Sequence, residues 1–266
     1  MNRARLVRGL LFALLLAQFA LVWVGVWLPR PFLGEAGWAE GLLLLVATAS
    51  TLAAQARQLP GQNVALASLI IVSLAALAQG VGARAAMPFG SLVAPEHLSG
   101  QVFQWLPWAA VLWLLALLTS RGVARLILRP WRAASTRGFR VIGLTVLLVV
   151  LFDLALEPFA TRVEHCWSWH PGNRGLDWYG TPGLNFLARA VMALFILVFA
   201  TPALLDKKPG VAPPDYHPLF VWLLASLLFA TGAVARHLWT AAGLDFLSAI
   251  AVTILALRGA CDRARA

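Results

Sequence analysis

The chain has 266 residues, of which 61% are hydrophobic and only 12% charged, whereas soluble domains carry roughly 25% charged residues. That composition excludes a soluble globular domain and marks an integral membrane protein. The formal charge of +10 does not indicate nucleic-acid binding, because the arginines and lysines fall between apolar runs rather than along one amphipathic face.

A membrane-crossing helix needs roughly 20 mostly apolar residues. Cutting the chain at clusters of charge, Pro and Gly gives eight such runs, over residues 6–28, 38–56, 62–82, 104–120, 138–158, 183–204, 218–238 and 241–259. The expected fold is all-α, a polytopic transmembrane helix bundle of about eight spans forming a single membrane domain over residues 1–266. The first run is too long for a secretion signal, and no small-residue cleavage site follows it before Pro29. So little separates the last two runs that seven spans is the alternative.

Between the third and fourth runs lies a long loop, residues 83–104. The fourth run is followed by a basic stretch containing Arg121, Arg125, Arg129, Arg132, Arg137 and Arg140. The fifth ends in DLALEP, which puts Asp153 and Glu157 inside an otherwise apolar segment. Four residues apart, they share one helix face a turn from each other. An ionisable group in a span usually faces the protein interior, because exposing it to lipid costs several kcal/mol.

A second long loop, residues 161–182, reads TRVEHCWSWHPGNRGLDWYGTP. It holds Trp167, Trp169, Trp178 and Tyr179 together with His165 and His170, more chemistry than a connector needs. The histidine spacing matches no metal-ligand motif, even with Glu164, Cys166 and Asp177 nearby, so no metal is expected. Arg189 falls in the first two turns of the sixth span and is the evident partner for the two carboxylates. Gln79 in the third span and Asp245 in the eighth are expected at the same depth.

Orientation follows from the basic residues of the loops. With eight spans, most of the 21 lysines and arginines fall on one side, which is therefore assigned to the cytoplasm together with both termini. Both long loops then face outward. Cys166 and Cys261 fall on opposite sides and cannot pair. Of the 12 tryptophans, Trp23, Trp27, Trp38, Trp105, Trp108, Trp178 and Trp239 sit at span ends, as an interfacial aromatic belt requires.

Four motifs converge on a known family. MPFG (residues 87–90), FDLALEP (152–158), WSW (167–169) and WYGTPGLNF (178–186) together resemble the bacterial and archaeal carotenoid biosynthesis membrane family. It includes the acyclic carotenoid 1,2-hydratases acting on γ-carotene, lycopene and bisanhydrobacterioruberin. The similarity covers the third to sixth spans, about half the chain.

The resemblance implies hydration of the terminal 1,2 double bond of an acyclic carotenoid to a tertiary alcohol, without cofactor. The reaction needs a dry acid to protonate the alkene and a positioned water to capture the cation. One of Asp153 and Glu157 is then the general acid and the other orients the water; the sequence does not distinguish them. Trp167, Trp169, Trp178, Tyr179 and Phe89 are expected to line the substrate pocket with Arg189, and Asn185 to hold the water or a carboxylate. Pro158 and Pro182 are expected to end and begin their helices. The implied partners are a lipid-soluble carotenoid, membrane lipid and other enzymes of the same pathway, in a bacterial inner membrane. The rival reading is a transporter or lipid-binding protein with an intramembrane carboxylate and arginine relay, although no inverted repeat is evident. A third is a non-catalytic assembly factor for pigment enzymes.

Overall fold

The computed structural model describes residues 3–28, 38–85, 92–93, 102–131, 136–169, 176–205 and 213–261. Among them are eight helices long and apolar enough to cross a membrane: α1 (Arg3–Trp27), α2 (Trp38–Gln55), α3 (Gly61–Ala85), α4 (Val102–Ile127), α5 (Arg137–Pro158), α6 (Gly183–Ala200), α7 (His217–Ala235) and α8 (Trp239–Cys261). The fold is an all-α polytopic bundle. Its outer surface stays apolar, with Leu69, Leu77, Leu147, Leu187 and Leu247 projecting outward. Helices that are apolar all round belong in lipid.

Eight helices rather than seven follow from a sharp break between α7 and α8. Arg236 and His237 close the turn, and His237 takes a positive φ of 60°.

α4 is the most buried of the eight. It runs on to Ile127, seven residues beyond the expected end at residue 120, because Arg121 does not terminate it. Arg121 is buried, and its Nη2 donates to the carbonyl of Leu204 at 2.8 Å. The residue read from sequence as a loop charge is thus part of a helix interface.

Two groups of helices share α4. On one side α3, α4, α5 and α6 form a closed ring, each touching the next. The half of this ring away from the α5–α6 loop is filled by Leu117, Leu118, Ile196, Leu197 and Ala200, with Ile71 from α3. On the other side α2, α7 and α8 pack against α4, with α1 lying on α2 and α7, and α7 and α8 also reach α5.

Close approach sets two glycines. A Cβ on Gly232 of α7 would lie 2.7 Å from the ring of Phe159, and one on Gly259 of α8 would strike the carbonyl oxygens of Leu126 and Ile127 at the end of α4. Without a Cβ, Gly232 leaves room for the Phe159 ring and Gly259 lets the backbones of α8 and α4 meet.

The two long loops join at the end of the bundle where α5 finishes. The strand β1 (Leu92–Val93) pairs antiparallel with β2 (Ser168–Trp169), and β3 (Asp177–Trp178) with β4 (Thr181–Pro182).

Candidate functional site

Asp153 and Glu157 face α6 from consecutive turns of α5, and Arg189 lies between them. Its Nη1 donates to Asp153 Oδ1 and its Nη2 to Glu157 Oε1 at 2.6 Å. The three residues are 3%, 0% and 8% exposed. Withdrawing such charges from water costs several kcal/mol per ion, which only close pairing and further hydrogen bonds offset.

Glu157 receives those further bonds. Its Oε2 accepts from Trp169 Nε1 at 2.9 Å, Thr181 Oγ1 at 3.0 Å and Trp167 Nε1 at 3.2 Å. With Arg189 on Oε1 that makes four donors, so both carboxylate oxygens are engaged. Asp153 differs. Its Oδ2 is buried with no hydrogen-bond partner.

That oxygen's residue borders a small cavity between α4, α5 and α6, of about 20 Å³. Leu112, Trp113 and Ala116 of α4 and Val149, Phe152 and Leu156 of α5 line it, with Asp153 and Arg189 as its polar members. A cavity of this size has room for a water molecule.

Local chemistry explains how the loop reaches the cluster. Pro158 is the last residue of α5, as expected, but the chain winds on as a π turn over Phe159–Val163. Proline has no N–H to donate to the carbonyl four residues back, that of Leu154. Trp178 supplies the missing donor, its Nε1 lying 2.9 Å from Leu154 O. The defect in α5 thereby becomes the anchor of the loop. Pro182 does begin its helix, preceding Gly183 in extended conformation.

Tyr179 has a positive φ of 54°, uncommon for a residue with a side chain. Its hydroxyl bonds to Thr240 Oγ1 and accepts from the backbone N–H of Ala241 at 3.3 Å, which ties the loop to the start of α8.

The residues expected at one site therefore divide. Asp153, Glu157, Arg189, Trp167 and Trp169 come together. Trp178 and Tyr179 brace the loop through α5 and α8 instead. Asn185, fully buried one turn before Arg189 on α6, has neither amide atom hydrogen-bonded. Phe89, like His170, lies outside the described residues.

Asp245 does not join the cluster: it is buried against α7, facing Ser226 and the backbone of Ala230. Gln79 is buried on α3 without a hydrogen bond to the carboxylates. Equal depth along the bundle brought neither residue to the same face. Among the described residues, no three His, Cys, Asp or Glu side chains gather where they could hold a metal ion. Sequence reasoning missed Thr181, Trp113 and Phe152. Thr181 stood within the WYGTP motif and Phe152 opened FDLALEP, whereas nothing distinguishes Trp113 inside its apolar span.

Such a bundle, with a buried polar cluster at one end of a helix ring, defines a multi-pass integral membrane protein. Its family is shown by comparison with known proteins: the chain belongs to the carotenoid biosynthesis protein family, whose model matches residues 39–254. The match runs from α2 into α8 and includes the whole cluster, so the protein has a role in carotenoid biosynthesis. Membership points to an enzyme of the pathway and a lipid-soluble carotenoid substrate. Searches of curated proteins and of solved structures returned no match.

Proposed function

We propose that the protein adds water to the terminal 1,2 double bond of an acyclic carotenoid, with Asp153 as the general acid. One observation carries this reading: Asp153 borders a cavity and its Oδ2 is buried and unpartnered, while both oxygens of neighbouring Glu157 are engaged by four donors in all.

Charge balance supports the assignment. Two carboxyls share one guanidinium, so away from water the cluster is neutral only when one carboxyl holds a proton. Glu157 accepts four hydrogen bonds and suits the ionised role, which leaves Asp153 Oδ2 as the place for the proton.

In the reaction the O–H bond of Asp153 breaks and a C–H bond forms at the less substituted alkene carbon. The other carbon becomes a tertiary cation beside the rings of Trp113 and Phe152, which attract positive charge through their π faces. A water held in the cavity forms the C–O bond and returns a proton to the Asp153 carboxylate, so the acid is regenerated. Glu157 acts here as a positioning residue, holding Arg189 and the two loop tryptophans. The cavity fits the water, and admitting an isoprenoid end requires its apolar lining to part.

The test is expression in a host that makes lycopene, with pigments followed by mass. The native chain is expected to give a product heavier by one water. Asp153→Asn should cut that product by about 100-fold or more, the scale of general acid catalysis. Glu157→Gln keeps the acid and should retain part of the activity per molecule of protein. Native yield from Asp153→Asn at equal protein level would sink the assignment.

A further inference from the structure

At the opposite end of the bundle from the carboxylate cluster, three arginines converge where α4 ends and α5 begins. Arg121 lies six residues before the end of α4, about 9 Å inside it at helical rise. It is only 5% exposed. Its Nη2 caps the Leu204 carbonyl at 2.8 Å, but its Nη1 is buried and has no hydrogen-bond partner. The neighbouring Ser120 hydroxyl is likewise buried and unpartnered.

Arg125 and Arg137 are close enough to Arg121 to repel it. Arg137 is the first residue of α5, and its Nε is also buried without a partner. Among the described residues, no carboxylate pairs with Arg121 or Arg137. The N-cap residue Thr136 makes no side-chain capping bond, so the first N–H groups of α5 lack that acceptor. The positive end of a helix dipole thus adds to the same field.

Repulsion of buried Arg121 by two half-buried cations is costly, and topology signalling asks only for arginines at the surface. Orphaned guanidinium nitrogens beside an uncapped helix start lack one thing, an acceptor with several oxygens and negative charge. We propose that Arg121 and Arg137, with Arg125 adjacent and the N-terminus of α5, form a binding site for a phosphate group, either the headgroup of an anionic lipid or a free phosphate ion.

The test uses the purified full-length protein in uncharged detergent, with thermal unfolding followed in two titrations. One adds inorganic phosphate against chloride at constant ionic strength; the other adds short-chain phosphatidylglycerol against the matching diacylglycerol. A ligand that binds the folded state raises the unfolding temperature in a saturable way. A rise with inorganic phosphate identifies a free ion as the source, and a rise with phosphatidylglycerol alone identifies the lipid headgroup; either result supports the site.

Arg137→Gln, at the rim of the cluster, should weaken apparent binding by about tenfold or more, the loss of a charge-assisted hydrogen bond. Arg121→Gln should do the same where it folds. Arg140→Gln, exposed on the next residues of α5, should leave the titration unchanged. No saturable rise with either probe overturns the proposal, as does equal weakening by Arg137→Gln and Arg140→Gln.

Discussion

Arg189 is the one cation bonded to both carboxylates of the site, and its two terminal nitrogens are both committed. Removing it leaves two buried carboxyls facing each other, and breaking such a pair costs about 3–5 kcal/mol. Arg189→Met is therefore expected to lower the unfolding temperature sharply in detergent, and Arg189→Lys less so, since an ammonium lacks the fork that spans both oxygens. This cluster was largely legible in the sequence. Two carboxylates four apart in an apolar run need a partner, and Arg189 lay deeper inside a predicted span than any other basic residue. What was not legible is the asymmetry between the carboxylates, which depends on Trp167, Trp169 and Thr181 all reaching Glu157 Oε2 from a distant loop. Trp113 and Phe152 were hidden for a similar reason: a cavity arises from packing between helices and leaves no mark on one strand of sequence.

At the scale of elements, Pro158 and Trp178 are coupled through the Leu154 carbonyl. Trp178→Phe removes the indole donor and keeps an aromatic ring, at an expected cost of about 1 kcal/mol in the native background. Pro158→Ala restores a backbone N–H able to bond Leu154, so the same change should cost less in that background. A double-mutant cycle on unfolding free energy measures the difference, and strict additivity would show that the two groups act independently. Proline was read from sequence as a helix end, and α5 does stop there, but the carbonyl it frees does not stay unsatisfied. A tryptophan 24 residues away bonds it, and the chain winds on as a π turn. The fourth span was read too short. Arg121 was taken as its boundary because charge usually marks a loop, yet the Leu204 carbonyl gives the guanidinium a partner within the bundle.

For the whole molecule, the hydropathy pattern was enough to locate all eight helices, because in lipid each segment must satisfy its own backbone hydrogen bonds. How the helices pack was not readable, since contacts such as that of Gly259 with the end of α4 join residues far apart in the chain. Gly259→Ala forces α4 and α8 apart and is expected to cost about 1–3 kcal/mol, the scale of an overpacked core. Gly243→Ala, where an added Cβ meets nothing within 4 Å, should be neutral or slightly stabilising through helix propensity. Comparing their unfolding temperatures checks the packing directly. The apolar plug of Leu117, Leu118, Ile196 and Leu197 below the cavity has a kinetic consequence for the proposed reaction. It acts as a depth stop, so a long polyene inserts one tip and no interior double bond reaches Asp153. A symmetrical substrate must leave, turn and re-enter before its second tip is hydrated. Early time points should therefore show the singly hydrated carotenoid accumulating ahead of the doubly hydrated one, whereas simultaneous appearance of both would mean that the ring is open at its far end.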